Sequence, residues 1–360
     1  MATLSYCLPE IFDIIVEHLV IAIGIQKAVL LRTVSRAFDA AIMHAICTRQ
    51  VIDAEAGDSL MLYRMDRNFR VGILLQKSRL ATATSQSYLQ AIARVNRAMD
   101  RLVDDMDPEQ AQIRHEAVAK SILFADTYRP ITDENELQNL LCAAALTGSI
   151  PLVKKVQLLA LPTSADTIFN RRTPYFPIAL TLAAGEGHFD LVNYLLDQGA
   201  RQDTEAMYWR VEDIPDLSYW NSAFDFEHLE ALETRRFSAL RAAVLYGHTD
   251  IVHLLLQPEH RLPTKEVEYL RAIMSAVQAG SLDFILLLFE AIGKQQSDFE
   301  GLGNYMMWQA IRGDQAEVVQ MLLVNGVDLH YNPNHTWWGY GALHLAASLG
   351  RAKLVGLLLE

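Results

Sequence analysis

The sequence predicts an all-α fold: a solenoid of helix-turn-helix repeats with short hairpin loops, preceded by an α-helical N-terminal domain. Two observations carry this. Down the second half, a small-residue pair, a following glycine and an apolar stretch rich in Leu, Val and Ile recur at a near-constant interval. Upstream, Leu8-Pro9-Glu10 and Asp107-Pro108-Glu109 each put proline in the first turn of a helix, where its missing N–H costs nothing.

The first helix starts at Pro9, and Ile11, Ile14, Ile15 and Leu19 fall on one face of it. Val20 to Ile25 reads as an apolar connection. After Gly24 a second helical stretch carries Leu30-Leu31-Arg32-Thr33-Val34-Ser35-Arg36-Ala37-Phe38 ahead of Ile42. This segment, about residues 8–42, resembles an F-box, the motif with which some proteins dock on a Skp-type adaptor of a cullin ubiquitin ligase. The resemblance implies that Leu8, Pro9, Ile11, Ile14, Val34 and Phe38 bind the adaptor and that a downstream domain selects the substrate. The competing reading makes the same apolar residues the core of a helical cap over the repeats. Residues 1–50 are thus expected to form a head, and 51–135 a helical bridging region. In the latter, Tyr88 to Val95 continues amphipathically to Leu102-Val103, and a further helix runs from Asp107 to Leu123.

Residues 136–360 carry the repeat. One copy reads Ala183-Ala184-Gly185-Glu186-Gly187-His188-Phe189-Asp190-Leu191-Val192, closing on Asp197-Gln198-Gly199-Ala200. Others hold Ala242-Ala243 with Gly247-His248, Ala276 with Gly280-Ser281, and Ala342-Leu343-His344-Leu345-Ala346-Ala347 with Gly350. Weaker copies centre on Gly148 and on Asp314, which replaces the glycine. The slot therefore falls at 148, 187, 247, 280, 314 and 350, with gaps of 39, 60, 33, 34 and 36 residues. Small residues let two short antiparallel helices approach, and glycine closes the first of them in a left-handed turn. Leu and Val spaced three and four apart form the buried stripe of the second. No single repeat buries its own apolar face, so the stack is one quasi-linear core.

The pattern resembles the ankyrin family, about six repeats with the last incomplete. With the F-box-like head, the chain is similar to fungal F-box/ankyrin proteins. The ankyrin resemblance implies a protein partner held along hairpin tips and the inner face of the first helices. On this chain those positions are Leu182, Glu186, Leu245, Tyr246, Gln278, Gln309, Arg312, Leu345 and Leu349. Aromatic clusters at two hairpins, Tyr175-Phe176 and Trp337-Trp338 with Tyr340, join them. The 60-residue gap contains an insertion at about 201–236 whose aromatics include Trp209 and Trp220. It either folds back on the array or grips a partner. The chain ends at Leu357-Leu358-Leu359-Glu360, inside a second helix and without a polar cap. The expectation is truncation, a longer natural chain or a covered end; a self-associating array would fit too.

A net charge of −12 and the lack of a basic patch speak against nucleic-acid binding. Three separated cysteines, Cys7, Cys47 and Cys142, give neither a disulfide framework nor a zinc spacing. The apolar run Leu19 to Ile25 is too short for a membrane span, and Glu10, Asp13 and Glu17 break up any signal-peptide core. A cytoplasmic or nuclear protein is expected, with no membrane contact. The sequence holds no His-Glu-x-x-His, no Gly-x-Ser-x-Gly and no phosphate-cradling loop, so no catalytic residue, metal or cofactor is assigned. His188, His248 and His344 read as structural, and Asp104-Asp105 with Asp107 as a solvated helix end. The function these residues imply is a protein-interaction scaffold, with a substrate-recognition subunit of a ubiquitin ligase as its sharper form. The alternative is an enzyme built on the stack, its pocket closed by the insertion.

Overall fold

The computed structural model describes residues 8–49, 67–82, 87–103, 107–122, 133–160, 168–171, 173, 175–202, 238–262, 267–299, 301–329 and 341–360. Every regular element among them is helical. They fall into two compact units: residues 1–143 with 173–176, and residues 144–172 with 177–360.

The first unit begins with α1 (Pro9–Ile23), α2 (Ile25–Leu31) and α3 (Arg36–Met43). Helix α1 runs through the stretch read as a connection; Val20 is 0 % exposed and belongs to its buried stripe with Val16. The break comes at Gly24, whose φ of 78° suits glycine alone at no cost. The stretch from Leu30 to Phe38 is likewise not one helix. A single 3-10 turn, Arg32–Val34, leads to Ser35, whose Oγ accepts from the Phe38 N–H at 3.3 Å and restarts the chain as α3. Phe38 meets Phe12 edge to face, centroids 5.3 Å apart at 89°. Arg32 pairs with Asp39 at 2.5 Å and Arg49 with Glu17 at 3.0 Å.

Helix α3 passes into a π-turn, His44–Thr48, against which α4 (Arg67–Arg79) packs. Helices α5 (Ser87–Leu102) and α6 (Pro108–Ser121) complete a bundle with α4. Asp107 caps α6, accepting from the Glu109 N–H at 3.1 Å. The bundle's core includes Ile73, Leu74, Ile92, Val95, Met99 and Val118, each at most 1 % exposed.

Helix α7 (Asp133–Leu146) is followed by α8 (Ile150–Leu159) and then by five hairpins. These are α9/α10 (Ala179–Gly185, Phe189–Asp197), α11/α12 (Ala239–Tyr246, Thr249–Leu255) and α13/α14 (Val267–Ala279, Leu282–Ile292). The last two are α15/α16 (Leu302–Arg312, Ala316–Val324) and α17/α18 (Ala342–Ser348, Ala352–Leu359). First helices stack in one row, α9 on α11 on α13 on α15 on α17. Small residues make that possible: Ala183, Ala184, Ala242, Ala243, Ala276 and Ala310 are buried where helices meet.

All six slot residues are left-handed: Gly148, Gly187, Gly247, Gly280, Asp314 and Gly350 have φ between 59° and 80°. Asp314 is the sole non-glycine with positive φ among the described residues. Gly187 is needed twice over, because a Cβ there would lie 2.6 Å from the His248 ring.

Candidate protein-interaction surfaces

The array's edges are set by how each first helix ends. In α11, the Gly247 N–H donates to Val244 O and the His248 N–H to Ala243 O, closing the helix in a Schellman turn. The same pairs recur at Gly280-Ser281, Asp314-Gln315 and Gly350-Arg351. The residue after the slot then reaches back one repeat with its side chain. His188 Nε2 lies 3.0 Å from Leu146 O, and His248 Nε2 lies 2.9 Å from Gly185 O. Gln315 Nε2 donates to Gln278 O at 2.9 Å, and Arg351 Nη2 to Arg312 O at 3.1 Å. Each acceptor is a carbonyl from the last turn of a first helix, one that the helix itself leaves unpaired. At the remaining junction Ser281 caps its own helix, and Arg241 Nε donates to Ser275 Oγ at 3.0 Å instead. The two histidines thus act as the sequence implies: they donate to backbone and hold repeats together.

This stapling leaves the residue just before each slot at the rim. Glu186 is exposed, Tyr246 is 49 % exposed with its ring over Gly185, and Leu349 is 44 % exposed. Leu245, Gln278, Arg312 and Leu345 are half-buried beside them. Gln278 is tied down, accepting from Gln309 Nε2 at 3.3 Å. Leu182 and Gln309 are buried, 8 % and 4 % exposed, and form the floor rather than the rim.

Tyr175 and Phe176 depart from expectation. They are 0 % and 1 % exposed and offer no surface. The Thr173 hydroxyl accepts from the N–H groups of both, at 3.2 and 2.8 Å, and fixes their backbone in a tight turn. Trp337, Trp338 and Tyr340, and Trp209 and Trp220 of the insertion, lie outside the described residues. The insertion's two flanks are firmly held. Gln202 Nε2 donates to Leu255 O and His260 O at 2.8 and 2.7 Å, and Ser238 caps α11.

On the head, Leu8 is 68 % exposed, Ile11 46 %, Ile14 49 % and Val34 62 %. Pro9 is exposed as well, whereas Phe38 is half-buried against Phe12. Ile15, Ile21 and Leu30 are exposed too, at 42 %, 55 % and 72 %. Sequence reasoning missed Ile21 and Leu30 as surface residues. It also missed Leu158, Leu286 and Val324 on second helices, 67–85 % exposed, because runs such as Leu282 to Ile292 are apolar on every side.

Among the described residues no group of three or more His, Cys, Asp or Glu side chains could hold a metal ion. Nor is any helix long and apolar enough to cross a membrane. Burial pushes the Cys142 thiol up to about 12, with a hydrogen bond to Gln138 offsetting part of the shift. A thiol held neutral in this way is a poor nucleophile.

Residues 273–360 match the family model for ankyrin repeats, in three copies. Those residues therefore carry ankyrin repeats, a protein–protein interaction module. Among solved structures the chain is similar to the crystal structure of the human ASB11 ankyrin repeat domain: 19 % identity over 61 % of this chain and 81 % of that one, TM-score 0.38. No curated protein matches the sequence.

Proposed function

We propose that this protein is the substrate-recognition subunit of a cullin-type ubiquitin ligase. The array holds a protein substrate along the rim that includes Glu186, Tyr246 and Leu349, and the head docks on a Skp-type adaptor. The observation that carries the second half is the exposure of Leu8, Ile11, Ile14 and Val34. Val16 and Val20 of the same helix, by contrast, are buried in the head's own core. Large apolar side chains left exposed together on one short segment are what a docking face offers. The mixed acid, aromatic and aliphatic rim suits a protein or peptide better than phosphate. Such a role belongs in the cytoplasm or nucleus.

Affinity purification of the full chain from its source cells, read by mass spectrometry, tests both halves. A Skp-type adaptor in the eluate, lost when Ile11→Asp and Ile14→Asp are introduced together, supports the head's role. A complex rich in other partners yet free of that adaptor removes it. For the array, Tyr246→Ala with Glu186→Arg should deplete a partner that the head variant still retains.

A further inference from the structure

We infer that the first unit binds a small amphipathic organic acid, a carboxylate head on an aliphatic body, in a cleft beside the π-turn. The cleft encloses about 530 Å³ between the end of α3, helix α4 and helix α6. That volume lies within the roughly 300–1,000 Å³ of small-molecule sites. Its floor is apolar: Val71 and Leu75 line it, each 5 % exposed. Its rim is cationic. Arg79 from α4 and Lys120 from α6, both exposed, line it together with a single carboxylate, Glu116. That carboxylate is already engaged, its Oε1 accepting from Gln112 Nε2 at 2.7 Å, while Gln112 Oε1 accepts from Arg79 Nη2 at 2.5 Å. The chain carries a net charge of −12, so two cations against one carboxylate, set above an apolar floor, is a local inversion that favours an anion.

The backbone also shapes one wall of the cleft. At His44 the helix widens by one residue, the Arg49 N–H donating to His44 O at 2.9 Å, and His44 lines the cleft. His44 contributes the only ring among the described lining residues, which favours an aliphatic body over a stacked nucleobase.

Calorimetric titration of the full chain with sodium decanoate, decylammonium chloride and sodium acetate tests this. Decanoate should bind saturably at one site, and the other two at least about tenfold more weakly, since one lacks the anionic head and the other the tail. Arg79→Ala with Lys120→Glu should weaken decanoate by about tenfold or more with an unchanged melting temperature. Lys120→Glu alone should do so in part. Absence of saturable decanoate binding, equal binding of decylammonium, or an unaltered decanoate affinity in the folded double variant each overturns the proposal.

Discussion

In the repeat hairpin α13/α14, Phe284, Ile285 and Leu288 turn inward while Leu286 stays 67 % exposed, and the ends of both helices close on glycine. In the head, by contrast, α1 buries Val16 and Val20 but leaves Ile11, Ile14 and Ile15 facing outward. Both segments are about equally rich in Ile, Leu and Val, so composition does not separate them. What differs is whether a neighbouring element covers the stripe. A repeat is flanked by its own copies, which supply a matching face every 33 to 36 residues in the last four repeats. The head has no such copy, and three helices of 15, 7 and 8 residues bury one stripe while a second stays in water.

The largest expected effect concerns a closed interior. With its thiol raised to about 12, Cys142 at pH 8 should alkylate roughly a thousandfold more slowly in the folded chain than in denaturant, read by mass spectrometry. The sign for stability follows. A thiol whose folded pKa is raised favours folding below its unfolded value near 9.0, and that contribution is lost as pH climbs toward about 12. Urea midpoints should therefore fall across that window. Next comes Gly187→Val, which forces a β-branched residue into φ 80° and against the His248 ring, at a cost of about 3 kcal/mol in thermal denaturation. A cost below about 1 kcal/mol would mean the junction is loose, and the contrast with the head would shrink.

Smaller steps sharpen the same comparison. Gln315→Ala removes the donor to Gln278 O and should cost about 1 kcal/mol. Asp314→Gly relieves a left-handed non-glycine but gives up an exposed ion pair with Arg351 at 3.5 Å, for a net gain of about 0.5 kcal/mol. If that substitution destabilises instead, the Asp314–Arg351 contact outweighs the backbone strain.

How much of this was legible beforehand varies by physical cause. The repeat register was, residue by residue: each slot at 148, 187, 247, 280, 314 and 350 is left-handed, Asp314 included, because local backbone geometry writes itself in glycine and its substitutes. His188 and His248 were legible for the same reason, each sitting beside the slot it staples. Burial was less so. Of the apolar run Val20 to Ile25, residues Val20 to Ile23 extend α1 because helix propensity and the Val16–Val20 stripe outweigh the resemblance to a linker, and the break waits until Gly24. Tyr175 and Phe176 looked like a hairpin tip, yet Thr173 pins their backbone in a turn and both rings are buried, which periodicity does not encode. The cleft beside His44 had no sequence signal, since its walls come from three helices spread over 77 residues between Met43 and Lys120.

The contrast between the two regions stands or falls on whether the head's outward stripe is a docking face. Titrating a purified Skp-type adaptor into the full chain by calorimetry, beside the Ile11→Asp, Ile14→Asp variant, tests it most directly. The account predicts a saturable one-to-one complex with the unaltered chain and a loss of at least about tenfold in affinity in the variant, whose melting temperature stays the same. An adaptor that does not bind, or binds both chains alike, would contradict it.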